Sequence, residues 1–167
     1  MITTERLLLR QIDNADAPFI LTLLNTPGWL QYIGDRHVKS LEAAGQYITN
    51  GPQKSYGEHG FGLLLVLEQE LGLPVGMCGL LKRDSLSFPD LGFAFLPEYT
   101  GKGYAREAAA AVLKYADEIL LLNTIAAITV PYNEASIRLL GKLDFVFKER
   151  TRSENGTEEL LLFYRQK

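Results

Sequence analysis

The sequence predicts an α/β (α+β) fold, a mixed and mostly antiparallel sheet of six to seven strands flanked by about four helices. Three observations carry this. Strand-like runs at Phe61–Leu67, Val75–Lys82 and Leu91–Leu96 are separated by segments whose Gly, Pro, Asp and Ser content favours turns, the pattern of an antiparallel meander. From Tyr104 the period changes: Ala105, Ala109, Val112, Ala116 and Ile119 share one helical face, while Glu107, Lys114, Asp117 and Glu118 lie mostly off it. Near the end, Phe145–Arg150 and Glu159–Arg165 flank a turn containing Asn155-Gly156, a hairpin signal.

The remaining elements follow in order. Residues 5–11 read as a first strand, and Asp13-Asn14-Ala15-Asp16 offers capping side chains before Pro18 and an apolar helix. Pro27 and Gly28 break that helix; a second runs from Ser40 to Ile48 with Gly51-Pro52 beyond its end. Ile125–Val130 is a strand, and Asn133 caps a helix through Leu143. The order is β-α-α-β-β-β-α-β-α-β-β, with no repeat or linker, so residues 1–167 read as one domain.

Composition narrows function by exclusion. A net charge of -3 lacks the clustered Lys and Arg that sequence-independent nucleic-acid binding requires. The longest apolar run, Leu63 to Leu67, is far below the roughly 20 residues of a spanning helix, so no membrane partner is expected. A single cysteine, Cys78, permits no internal disulfide, and the opening residues carry no signal segment; the expected location is cytoplasmic. His37 and His59 stand apart from other ligands, so no metal is expected. Cys78, mid-strand between Met77 and Gly79, reads as a small buried hydrophobe rather than a nucleophile.

The segment most suggestive of chemistry is Thr100-Gly101-Lys102-Gly103-Tyr104-Ala105, between a strand and a helix. A helix start leaves backbone N–H groups unpaired and carries about half a positive charge, so it attracts anions. Gly101 and Gly103 allow close approach and Lys102 adds charge. A P-loop is disfavoured because Tyr104, not Ser or Thr, follows Gly103, and the dinucleotide fingerprint because Arg106 stands at its third small position. The alternative is a tight glycine turn with no ligand.

Thr100–Ala105 resembles the acetyl-CoA-binding motif of the GNAT superfamily of N-acetyltransferases, Gln/Arg-x-x-Gly-x-Gly/Ala, with Thr100 in place of the Gln or Arg. Residues 133–145 resemble the family's Asn-led helix ending before Gly-Phe, with Asp144 in place of the glycine. The opening Thr4-Glu5-Arg6-Leu7-Leu8-Leu9-Arg10 and the segment Asp90-Leu91-Gly92-Phe93-Ala94-Phe95 are similar to the branch that includes the acetylases of ribosomal-protein N-termini.

The resemblance implies a sheet splayed between its fourth and fifth strands to admit the pantetheine arm of acetyl-CoA. It implies transfer of the acetyl group to a primary amine of a small molecule or a protein N-terminus. Binding then falls to Thr100, Gly101, Lys102, Gly103, Tyr104 and Ala105, with a backbone amide of Phe95 or Leu96 facing the oxyanion and Asn133 bonding the pantetheine.

Asp90 is the expected general base, at the place where several family members carry a glutamate; it is alternatively only the end of the Phe88-Pro89-Asp90 turn. Leu140 stands where many relatives have a tyrosine acid, leaving Ser136 to protonate the thiolate or the thiolate to leave unassisted, its thiol pKa being about 8.5. Asn133 and Ser136 have simple helix-start roles as alternatives. Trp29, Tyr32 and Tyr47 lie where relatives build the acceptor pocket, or serve as core. A second reading is a catalytically weak acyl-CoA-binding sensor or scaffold. Edge strands near the C-terminus allow a homodimer.

Overall fold

The computed structural model describes all residues, Met1–Lys167. Eight strands form one sheet in the order β1-β2-β3-β4-β5-β6-β8-β7: β1 is Ile2–Thr3, β2 Leu7–Gln11, β3 Leu63–Glu68, β4 Pro74–Leu81, β5 Asp90–Phe95, β6 Thr124–Thr129, β7 Val146–Arg152 and β8 Glu159–Gln166. The sheet thus has one strand more than the sequence pattern suggests: Ile2–Thr3, too short to show a period, pairs with Leu8 and Leu9. Every neighbouring pair is antiparallel except β5 and β6.

That parallel pair is where the sheet opens. Its register consists of Asp90 opposite Ala126, supported by the Ala126 N–H donating to Pro89 O at 2.9 Å. Beyond this point β5 and β6 diverge, whereas β4–β5 and β6–β8 each hold six residue pairs. The expected splay is present.

Six α-helices cover the sheet: α1 Ala17–Leu23, α2 Pro27–Tyr32, α3 Leu41–Ile48, α4 Lys54–His59, α5 Tyr104–Glu118 and α6 Glu134–Lys142. Two exceed the expectation. Pro27-Gly28 does end the first helix, but it also starts α2: Pro27 occupies the first helical position, where its missing N–H costs nothing, and the Thr26 hydroxyl caps Trp29 N–H at 3.4 Å. Gly51-Pro52 does not end the next helix. The chain widens into a π turn at Thr49–Gln53, which accommodates a proline that would clash in a regular α turn, and continues as α4 to Gly60 at φ +75°.

Alternation along the strands builds two cores. Val66 and Cys78 point to the face packed by Ala108, Ala109, Val112 and Ala116 of α5 and Leu140 of α6, in a cluster of 18 buried residues. Leu65 and Met77, their neighbours, point to the opposite face, where Ile20, Leu23, Trp29, Ala44 and Ile48 form a cluster of 11. The two layers hold α5 and α6 on one face of the sheet and α1 to α3 on the other. No helix is long and apolar enough to cross a membrane.

Candidate active site

The opening between β5 and β6 leads into a continuous cleft of about 2190 Å³ lined by Gly101, Gly103, Tyr104, Ala105 and Arg106 of the glycine loop but not Lys102, together with Phe93, Phe95, Asp90, Thr129, Asn133, Ser136, Trp29, Tyr32 and Tyr47. A pocket for one small ligand occupies roughly 300–1,000 Å³. The space therefore suits a long ligand together with a second one.

The loop after β5 begins with a 3-10 turn at Pro97–Tyr99. Thr100 closes it, its hydroxyl donating to Pro97 O at 2.8 Å and its amide to the same oxygen at 3.2 Å. Thr100 is thus held back on the turn, and the first free amide belongs to Gly101. Gly101 and Gly103 have φ of +74° and +83°, conformations that strain any other residue. From Gly101 to Arg106 no backbone N–H donates to a protein acceptor; the ladder of α5 resumes with Glu107 N–H to Gly103 O at 3.0 Å. Free donors at the positive end of a 15-residue helix are suited to an anion. Lys102 is exposed, its ammonium 5.5 Å from the Tyr99 ring centroid.

Of the two amides expected for the oxyanion, that of Leu96 donates to Val75 O at 2.9 Å. Antiparallel ladders alternate, so the Phe95 N–H turns away from β4 toward the gap. Asn133 caps α6 by accepting from Ser136 N–H at 3.2 Å, which leaves its amide nitrogen free. The Ser136 hydroxyl makes no hydrogen bond with the protein and lines the cleft. Leu140 is 1% exposed and packs in the larger core, so this position supplies no hydroxyl. Asp144 has φ +65°, the backbone a glycine would take there without cost.

Asp90 sits at the apex of the opening and is 1% exposed. Arg83 Nε lies 3.1 and 3.0 Å from its two carboxylate oxygens. Burial pushes the Asp90 carboxyl above its ordinary range; the attraction and hydrogen bond of Arg83 pull it back, and burial prevails. Arg83 was not foreseen from the sequence, where it stands in a polar turn like any surface arginine. No group of three or more His, Cys, Asp or Glu side chains gathers as a metal site.

Over the cleft, the Tyr132 hydroxyl lies 3.2 Å from Gln31 O and 3.0 Å from a Glu158 carboxylate oxygen, and its ring is 6.0 Å from that of Tyr32. This contact joins α2 to the turn of the β7–β8 hairpin. Sequence reasoning missed it because the three residues are far apart in the chain.

The model of the acetyltransferase (GNAT) domain matches residues 6–146, most of the chain. The chain belongs to the GNAT acetyltransferase family. It is an acyltransferase, of a family that uses acetyl-CoA as co-substrate. It is 30% identical over 142 residues to the Bacillus subtilis (strain 168) protein named uncharacterized N-acetyltransferase YnaD, covering 85% of this chain and 80% of that one. The acetyltransferase from Agrobacterium tumefaciens str. C58 superposes with a TM-score of 0.84 at 23% identity, over 99% of this chain and 94% of that chain. The ribosomal-protein-S5-alanine acetyltransferase from Vibrio fischeri superposes with a TM-score of 0.80 at 22% identity, over 98% and 94%. At these identities the solved structures speak to the fold.

Proposed function

We propose that this GNAT protein, acting as one domain, moves the acetyl group of acetyl-CoA to a primary amine by direct attack on the thioester. The observation that carries the reading is the row of free amides from Gly101 to Arg106 at the mouth of a cleft that runs to Phe95 and Asp90 where β5 and β6 part. The amides hold the diphosphate, and the opening passes the pantetheine, whose amides meet the Asn133 side chain.

Phe95 N–H faces the thioester oxygen and stabilises the charge that develops there. Asp90, directly or through a water, takes the proton that the amine loses as its nitrogen bonds to the carbonyl carbon. Arg83 orients that carboxylate, and burial makes it a stronger base than an exposed aspartate. The C–S bond breaks with its electron pair on sulfur, and the Ser136 hydroxyl, which lines the cleft, relays a proton from solvent to the thiolate, taking one from water as it gives its own.

A peptide N-terminus is one acceptor class this reading includes, in keeping with the named activity of the Vibrio fischeri structure; small amines are the other. The alternative, a catalytically weak acyl-CoA-binding sensor or scaffold, draws on Leu140 in place of a hydroxyl and on the double hold of Arg83 on Asp90. Steady-state CoA release with a panel of N-terminal peptides, polyamines, amino acids and aminoglycosides separates them. Acceleration by one class, with the acetylated product found by mass, supports transfer; tight CoA binding without acceleration by any amine favours the sensor.

A further inference from the structure

Arg6, at the entry to β2, encloses the glycine loop from outside the cleft. Its Nε donates to Glu107 Oε2 at 2.7 Å, and its Nη1 donates to Lys102 O at 2.9 Å. Its Cζ lies 4.5 Å from the Tyr104 ring centroid, and its Nη2 is 3.2 Å from where a Cβ on Gly103 would sit. The Arg6 backbone N–H donates to Glu107 Oε1 at 2.9 Å, and the Thr4 hydroxyl donates to the same oxygen at 2.6 Å. One residue from the start of the chain therefore touches Lys102, Gly103, Tyr104 and Glu107.

Two physical consequences bear on the anion. In a trans peptide the C=O and the next N–H point in opposite directions. Holding Lys102 O on the Arg6 side therefore aims the Gly103 N–H away from Arg6. Second, Glu107 stands in the first turn of α5. Burial acts to raise its pKa, but the hydrogen bonds from Thr4 and from the Arg6 backbone and side chain outweigh burial and hold it below the ordinary value. An ionised carboxylate there repels a diphosphate a turn away unless its charge is matched.

We propose that Arg6 is a positioning residue for the acyl-CoA diphosphate: it fixes the direction of the Gly103 amide and cancels the charge of Glu107 at the anion cradle. The inference rests on the acyl-CoA reading of the loop. It gives the opening Thr4-Glu5-Arg6 segment a role in donor affinity although no part of that segment lines the cleft.

The test measures CoA binding by calorimetry for wild type, Arg6→Ala, Glu107→Gln and the double variant, with thermal melts to establish that each is folded. Loss of a charge-assisted bond and exposure of an unmatched carboxylate predict ~10- to 100-fold weaker binding for Arg6→Ala. The double variant should regain much of that loss, because the repelling charge has gone, and the affinity lost should lessen as salt rises. In turnover, Arg6→Ala should raise the KM for acetyl-CoA while leaving the rate with S-acetyl-pantetheine, a donor without the diphosphate, near wild type. A folded Arg6→Ala protein that binds CoA as wild type does, a double variant no better than Arg6→Ala, or equal losses with both donors overturns the proposal. Wild-type protein that binds no CoA instead removes the acyl-CoA reading itself.

Discussion

Asp90 on β5 stands opposite Ala126 on β6 as the last pair in register before the sheet parts, so the buried carboxylate marks the point where the opening begins. A group at that apex is shielded from bulk water yet lies at the end of the cleft. Its protonation should govern the acid side of the pH–rate profile. Burial holds its pKa above the ordinary value, so activity should fall as pH drops through a value above about 3.9. Arg83→Gln, which removes the attraction that lowers the pKa, should move that limb further to higher pH. Asp90→Asn should abolish the limb and lower kcat/KM by ~10²–10⁴-fold. An unchanged profile in a folded Asp90→Asn protein removes Asp90 from proton transfer.

Gly103→Val should abolish binding of CoA. The φ of +83° strains a β-branched residue, and the new Cβ would stand 3.2 Å from Arg6 Nη2, so the loop must move and its amides lose their aim. Calorimetry gives the answer directly, and wild-type affinity in the variant contradicts the loop's assignment.

Asp144→Gly should stabilise the fold by ~0.5–1 kcal/mol, because Asp144 holds φ +65° at the end of α6 and glycine reaches that region without a Cβ penalty. The midpoint of urea denaturation should rise with an unchanged slope. A lower midpoint would show that the Asp144 side chain makes up for its backbone.

Asp117 joins the last turn of α5 to β8, with Arg165 nitrogens 2.9 and 2.7 Å from its two oxygens. The hydrogen bond from Arg165 is the main reason its pKa falls below the ordinary value; burial opposes it and loses. A depressed folded-state pKa stabilises the protein above the unfolded pKa of about 3.9, and that stability is lost as pH falls through the lower folded value. Asp117→Asn should cost ~1–2 kcal/mol at pH 7, and the difference from wild type should shrink in acid. A difference constant from pH 7 to pH 2 contradicts this.

Cys78 is fully buried, and burial drives its thiol pKa far above the ordinary value. A thiol-specific disulfide reagent should therefore label it only after denaturation. Fast labelling of the native protein would reopen the nucleophile role.

The fold was legible where periodicity and composition act together. The meander, α5 and the C-terminal hairpin all fell within a few residues of their positions: the meander and α5 bury apolar stripes, although Ile119 at the end of the α5 stripe is exposed, and the hairpin is marked by its Asn155-Gly156 turn although its first strand, Val146–Arg152, is mostly exposed. Pro27 misled because proline ends one helix as readily as it begins another, and only the Thr26 cap decides. Gly51-Pro52 misled because a π turn absorbs a proline that an α turn cannot. In the site, the local sequence of the glycine loop announced a turn at a helix start, since that lies in backbone conformation, but left a turn with no ligand as the alternative, and only the family resemblance pointed to acyl-CoA. The Asp90–Arg83 and Arg6–Glu107 pairs could not, since an ion pair is made by tertiary approach, and 101 residues separate the second pair. The choice between Phe95 and Leu96 needed the β4–β5 register, which no single-strand pattern contains.

On the proposed mechanism the splayed cleft delivers an acetyl group from acetyl-CoA directly to an amine. The most direct measurement follows the fate of an isotopic label in the acetyl group of acetyl-CoA, incubated with the protein and each amine of the panel. Label should move into one class of amine, in step with CoA release, with none retained on the protein. Label that remains on CoA, or leaves at the hydrolysis rate whichever amine is present, contradicts it.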